Sequence, residues 1–277
     1  MINDPCYILE EIHPCESGMF DGIVDMTYCL TLIGSERSKT IHRTIRRSRL
    51  ATTVIIQHNH GYKCDGKGLK QQISFNDLTH ALGNIFRHAT EKGYENILVL
   101  EDDFIVDHSY FNQTDVDRIG EFTKSNPFDL YNLGGFGMTS YPVGLYHRRV
   151  LHSAFTQAVI YNKRYFDKYI KLVERLEYNI PCDDAPMAIP SARVYFYWKP
   201  IIFQIFERTE NRLSWGPEGG SRNFGLWVSG LDTDYKKYQL YIGICNMIWD
   251  IVIVSLIVGW IVYKIYKQEN TINKYEE

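Results

Sequence analysis

Three consecutive acids, Glu101, Asp102 and Asp103, follow directly on the apolar run Asn96-Ile97-Leu98-Val99-Leu100. Adjacent carboxylates repel one another, and at the mouth of a buried strand that repulsion is costly unless a cation neutralises it. In extended geometry Glu101 and Asp103 point to one face and Asp102 to the other. A hard divalent ion, Mn2+ or Mg2+, takes carboxylate and phosphate oxygens together, so it can hold a nucleoside diphosphate and neutralise it as a leaving group. All three acids are therefore candidate metal ligands. The competing reading of the triplet alone is a solvated acidic turn.

A second acidic pair, Asp183-Asp184, follows Pro181. Placed at a helix N-terminus facing a cleft, either carboxylate could take a proton from an acceptor hydroxyl; either could equally be a helix cap. Arg37 is a candidate nucleotide contact, with Ser35 before it as a helix cap. Gln204, Arg208 and Arg212 are candidate phosphate or acceptor contacts late in the chain. His80, alone on a predicted helix, reads as a packing or hydrogen-bonding residue. His58-Asn59-His60 resembles nuclease shorthand, but no further ligands stand at the spacing such a site needs, and it reads as loop.

These residues need a scaffold, and strands alternating with helices supply one. Val24–Ile33, Ala51–Gln57, Asn96–Leu100, Pro127–Leu133 and Ser153–Tyr161 are predicted strands, and Val194–Phe206 gives strand-like apolar runs separated by Lys199-Pro200. Glu36–Leu50, Ser74–Lys92, Thr114–Lys124 and Asn162–Leu176 are predicted helices, the second closed by Gly93. The alternation predicts an α/β fold with a mainly parallel sheet flanked by helices, whose ligands bind outside the carboxyl ends of the strands. Residues 1–20 read as an irregular extension, 21–215 as the catalytic domain and 216–239 as a polar juxtamembrane segment.

Leu240–Tyr263 is long and apolar enough to cross a bilayer, with lysines on both sides and Trp249, Trp260 and Tyr263 as interfacial anchors. Asp250 is the costly residue within it. A polar tail, 264–277, follows. The first residues lack a basic region followed by an apolar one, which predicts a tail-anchored, single-pass protein with its domain in the cytosol. A lumenal orientation stays open, and only then would the sequon Asn112-Gln113-Thr114 matter. The formal net charge of -3 argues against nucleic acid as a general partner. The 6 cysteines are dispersed without metal-binding spacing, and Cys6 could pair with Cys15 in an oxidising compartment.

Several segments share order and spacing with one family. TYCLTLIGSER, the stretch from His80 through ILVLEDDF, NPFDLYNLGG, SAFTQAVIYNKRYFDKYI, PCDDAPM and KPIIFQIFERTENRLSW together resemble the core of glycosyltransferase family 25, over roughly Met26–Trp215. That family comprises lipopolysaccharide-biosynthesis and collagen galactosyltransferase enzymes with a GT-A fold. The chain departs from its pattern at Thr31, where the family has Asn, at Phe128, where it has Trp, and in the segment from Ser153, which lacks the family's glycine and serine. The resemblance implies inverting transfer from a nucleotide-sugar, a UDP-sugar first, to a protein, lipid or glycan acceptor. It implies Asp103 with Glu101 or Asp102 at the metal. Two other readings use the same residues: a membrane-anchored scaffold without catalysis, and a metal-dependent phosphotransferase or nuclease. The latter would draw further ligands from Asp107 and His108.

Overall fold

The structure is a computed structural model and describes residues 4–154, 156–204 and 235–273. Its elements are β1 (Tyr7–Ile12), β2 (Met26–Leu32), α1 (Ile41–Ser48), β3 (Val54–Asn59), α2 (Ser74–Lys92), β4 (Asn96–Glu101), β5 (Phe104–Val106) and α3 (Gln113–Ser125). There follow β6 (Leu130–Asn132), β7 (Phe136–Pro142), β8 (His147–Ala154), β9 (Ala158–Asn162), α4 (Lys163–Arg175), β10 (Val194–Tyr197), β11 (Ile202–Gln204) and α5 (Tyr235–Asn273). A 9-stranded sheet has the order β1-β3-β2-β4-β9-β6-β10-β8-β7, and β5 pairs separately with β11. Strands β2, β3, β4, β6, β7 and β10 run one way; β1, β8 and β9 run the other.

The sheet is covered on both faces, which is why β4 is apolar throughout instead of alternating with polar residues. Ile97 and Val99 join one core with Phe86 of α2 and Phe166 and Tyr169 of α4. Leu98 and Leu100 join the other, with Ile41 and Ile45 of α1 and Val116 and Ile119 of α3. Phe86 anchors the first layer, its ring 4.8 Å from Phe166 and 5.0 Å from Tyr161. Helix α2 ends where expected, at Gly93 with φ +73°. Helix α3 begins with a capping box between Asn112 and Asp115.

Four expectations need correction. The opening residues are not irregular: β1 pairs antiparallel with β3, and Cys6 bonds to Cys64, not to Cys15. Pairing to β3 is a long-range contact that the short Tyr7–Ile12 run does not announce. The predicted strand from Ser153 to Tyr161 is instead the end of β8 and most of β9, two strands that run the same way but stand apart in the sheet, with β6 and β10 between them. The β7–β8 hairpin was not expected, because Pro142 and the Arg148-Arg149 pair look like loop; it is held by β10 on one side and by α5 across its face. Finally, α5 is one helix from Tyr235 to Asn273, so it takes in most of the segment expected to be a polar tail. Most of the predicted juxtamembrane segment lies outside the described residues.

The first turns of α5 are part of the domain. Tyr238 is fully buried and its hydroxyl donates to the Gly134 carbonyl at 3.3 Å. Asn246 Nδ2 donates to the Trp198 carbonyl, and Asp250 takes both terminal nitrogens of Arg148, at 2.7 and 3.1 Å. The residue expected to be costly in a membrane is thus neutralised at the domain's edge. Beyond it the helix is exposed and apolar, and Lys236–Lys267 has the length and mean hydropathy, 2.1, of a span.

Gly134 sits under β11, where an added Cβ would stand 1.7 Å from the Ile202 carbonyl oxygen and 2.7 Å from Gln157 Nε2. Gly134→Ala is therefore expected to destabilise the protein by about 1–3 kcal/mol, as overpacking does. The measurement is the thermal midpoint of the full chain in detergent; an unchanged midpoint would mean that this contact is not as tight as described.

Candidate active site

The acids lie where β4 ends, and the chain on either side is shaped around them. Thr31, near the end of neighbouring β2, donates its hydroxyl to Asp102 Oδ2 at 2.8 Å. Six residues on, Arg37 reaches back with one terminal nitrogen to Asp102 Oδ1 at 3.3 Å and Asp103 Oδ2 at 3.1 Å. Pairing of β5 with β11 sets Gln204 opposite Phe104, and its amide donates to Asp103 Oδ2 at 2.6 Å. Asp103 is 9 % exposed. Among the described residues, its Oδ1 is buried without a partner, and so is the second terminal nitrogen of Arg37. An unsatisfied acceptor and an unsatisfied donor on one ion pair form an arrangement that a ligand can complete.

Glu101 belongs to a second cluster on the same motif. Thr156 donates to Glu101 Oε1 at 3.0 Å and lies 3.4 Å from Cys182 Sγ. Burial pushes the Glu101 carboxyl up to about 8, reinforced by the charges of Asp103, Asp102 and Asp183 and opposed by the Thr156 hydrogen bond. Burial raises Asp103 as well, against Arg37 and Gln204, which hold its charge. Burial, with the charges of Asp183 and Glu101, likewise raises the Cys182 thiol well above its ordinary range, which favours its protonated form.

The expected residues therefore fall into three groups. Glu101, Asp102, Asp103, Arg37 and Gln204 are brought together, and Asp183 stands close enough to act on Glu101 electrostatically. Asp184 is exposed, and the segment is a series of turns in which Asp184 N donates to the Pro181 carbonyl; it is not the helix N-terminus that was expected. Arg208 and Arg212 lie outside the described residues. His80 is a packing residue as read, 2.7 Å from the Tyr7 hydroxyl and lowered to about 4 by burial. His58 and Asn59 end β3 instead of lying in a loop, bonded to Glu10 and Asp77 respectively. Asp107 accepts from both the amide and the hydroxyl of Ser109. Thr156 was missed; a lone threonine between two strands carries no signal until its partner is known.

Among the described residues no three His, Cys, Asp or Glu side chains converge into a metal cage. The donor set fits the other way of holding Mg2+ or Mn2+, with one or two carboxylates and the rest of the shell from substrate phosphates and water. Among the described residues, Asp103 Oδ1 is a buried carboxylate oxygen with no hydrogen-bond partner.

No protein-family model and no curated protein matches the chain. Among solved structures, it is similar to apo UDP-glucose pyrophosphorylase (11 % identity, TM-score 0.37, covering 62 % of this chain and 72 % of that one). It is similar also to a glycosyltransferase involved in glycosylation of the major capsid of PBCV-1 (11 %, 0.40, 68 % and 96 %). A third is the nucleoside-diphosphate-sugar pyrophosphorylase from Vibrio cholerae RC9 (12 %, 0.30, 62 % and 72 %). At these TM-scores the likeness assigns this chain neither an activity nor a substrate.

The raised Glu101 carboxyl fixes a pH dependence. An acid whose folded value exceeds its unfolded 4.5 favours the folded state fully below 4.5, and that contribution is lost as pH rises toward about 8. Glu101→Gln removes the loss. In metal-free protein its thermal midpoint is expected to exceed the wild-type value at pH 8, by about 2–4 °C per kcal/mol, and to match it near pH 4.5. A constant offset across that range would show that Glu101 does not titrate there.

Proposed function

We propose that this chain is a metal-dependent glycosyltransferase that moves a sugar from a nucleotide-sugar, a UDP-sugar first, to a hydroxyl of a protein, lipid or glycan acceptor with inversion. The observation that carries the reading is the half-satisfied ion pair at the end of β4, where the Asp103 Oδ1 acceptor and an Arg37 donor are both left over. Bound there, Mn2+ or Mg2+ would supply charge neutralisation for the departing diphosphate. Glu101, Asp102 and Asp103 hold the cation side. Arg37 turns its spare nitrogen to a phosphate oxygen, and Gln204, with Arg208, binds from the late segment. Asp183 takes the acceptor proton; Asp184, exposed, is the alternative base.

A second reading has its own support. Arg37 already neutralises Asp102 and Asp103 without a ligand, as it would in a scaffold that has given up catalysis. A nuclease or phosphotransferase is less favoured, because Asp107 is committed to Ser109. Calorimetric titration of UDP into the full chain, with and without Mn2+, separates these readings. Binding is expected only with Mn2+ and should weaken at least about tenfold in Asp103→Asn, the effect of losing roughly 1.4 kcal/mol. Asp183→Asn should keep UDP binding and lose transfer. Folded protein that binds no UDP in either condition points to the scaffold.

We further propose that α5 is a single-pass membrane span. The Cys6–Cys64 bond favours the lumenal or external side for the domain over the cytosol expected from the opening residues, since disulfides persist in oxidising compartments. Alkylation of protein from its native membrane is expected to modify Cys6 and Cys64 only after reduction. Labelling of both without reductant would return the domain to the cytosolic side.

A further inference from the structure

Helix α5 does not simply leave the domain; it runs along β7 and departs beside the tip of the β7–β8 hairpin. Tyr238 contacts Gly134, just ahead of β7, and Asp250 contacts Arg148, which pairs with Pro142 on the hairpin's last rung. Trp198 is fastened to the same corner: its amide donates to the Tyr146 carbonyl at 2.9 Å, and its carbonyl accepts from Asn246 Nδ2. Three apolar side chains are exposed on this corner, Val143, Leu145 at 88 % and Trp198 at 46 %. The docked half of α5 adds an outward stripe at helical spacing, Leu240, Ile244, Met247 and Ile251, all exposed.

Length decides what covers them. From Ile251, the first residue past the Arg148–Asp250 pair, to Tyr266 the helix rises about 24 Å at 1.5 Å per residue. A bilayer's hydrocarbon core is about 30 Å thick. The free part of the helix is too short to hold the domain clear of the surface, so the corner from which it departs must be drawn into the interface. We propose that the hairpin tip, Trp198 and the outward stripe of α5 form a lipid-contacting surface, seating the domain directly on the headgroup and upper acyl region of the bilayer that α5 crosses. Tryptophan is suited to that depth, with an apolar ring and a polar edge. This inference rests on α5 being a span.

The test is tryptophan quenching in the full chain reconstituted into phosphatidylcholine vesicles brominated high or low on the acyl chain. The Trp198 contribution is taken as the difference between wild type and Trp198→Phe. It is expected to be quenched at least about twofold more by shallow than by deep bromines. Leu145→Trp, at a site too exposed to disturb packing, should add fluorescence with the same depth preference. If Trp260 is quenched, as judged by Trp260→Phe, while neither Trp198 nor the added tryptophan is, the span holds and this surface is overturned. If none is quenched, the span reading fails and this inference with it. Shielding of Trp198 that follows protein-to-lipid ratio instead of bromine depth would assign the surface to a second copy of the chain, and likewise overturns the lipid contact.

Discussion

Carboxylates crowded at the end of a buried strand are the constraint around which the first half of this fold is arranged. Strand β4 is apolar on both faces because helices cover both, and it delivers Glu101, Asp102 and Asp103 into a region with little water to screen them. Each neighbour that could have been aliphatic is polar instead. Thr31 comes from β2, Arg37 from the segment that follows, Thr156 from ahead of β9 and Gln204 from β11. Even β5 and β11, a pair outside the main sheet, serve to bring the last of these into place. What remains unsatisfied is small and local, and it is where a ligand would have most to gain.

The far half of the sheet answers a different demand. Val150 of β8 and Val194 and Phe196 of β10 still reach the core that α2 and α4 share, while α5 packs along β7 and buries Tyr238 and Ile242. The Arg148–Asp250 pair adds a charged fastening to that packing, beside the hydrogen bonds of Tyr238 and Asn246 to the Gly134 and Trp198 carbonyls. Helix α5 and the domain are therefore one packed body along its first turns.

The helices and the central strands were legible because their signals are local. The stripe on α2 and its terminal Gly93 define that helix to the residue, and the apolar β4 followed by acids marks both a strand and a site. The misread parts depend on partners distant in sequence. Strand β1 exists through β3, the β7–β8 hairpin through β10 and α5, and Asp250 is stabilised by Arg148, which stands far earlier in the chain. The same division runs through the site. The acidic motif and Arg37 could be singled out from residue types, whereas Thr156 gains meaning only from its contact with Glu101. Asp183 and Asp184 look alike in sequence, and only the turn that carries them separates a residue beside Glu101 from one in solvent.

The Arg148–Asp250 pair also imposes an order on manufacture. Ribosomes deliver the chain from its N-terminus, so the sheet face around Gly137, Ser140 and Val150 and the Arg148 guanidinium are made about a hundred residues before Asp250, 102 positions on, can meet them. Until then that face, with Leu133, Val150 and Phe196 beside Ser140 and Arg148, lacks its cover, the kind of transient exposure on which newly made chains aggregate. The helix that covers it is also the one long and apolar enough to cross a membrane. Completion of this face therefore waits on α5, and a chain that stops before Tyr235 emerges with it uncovered.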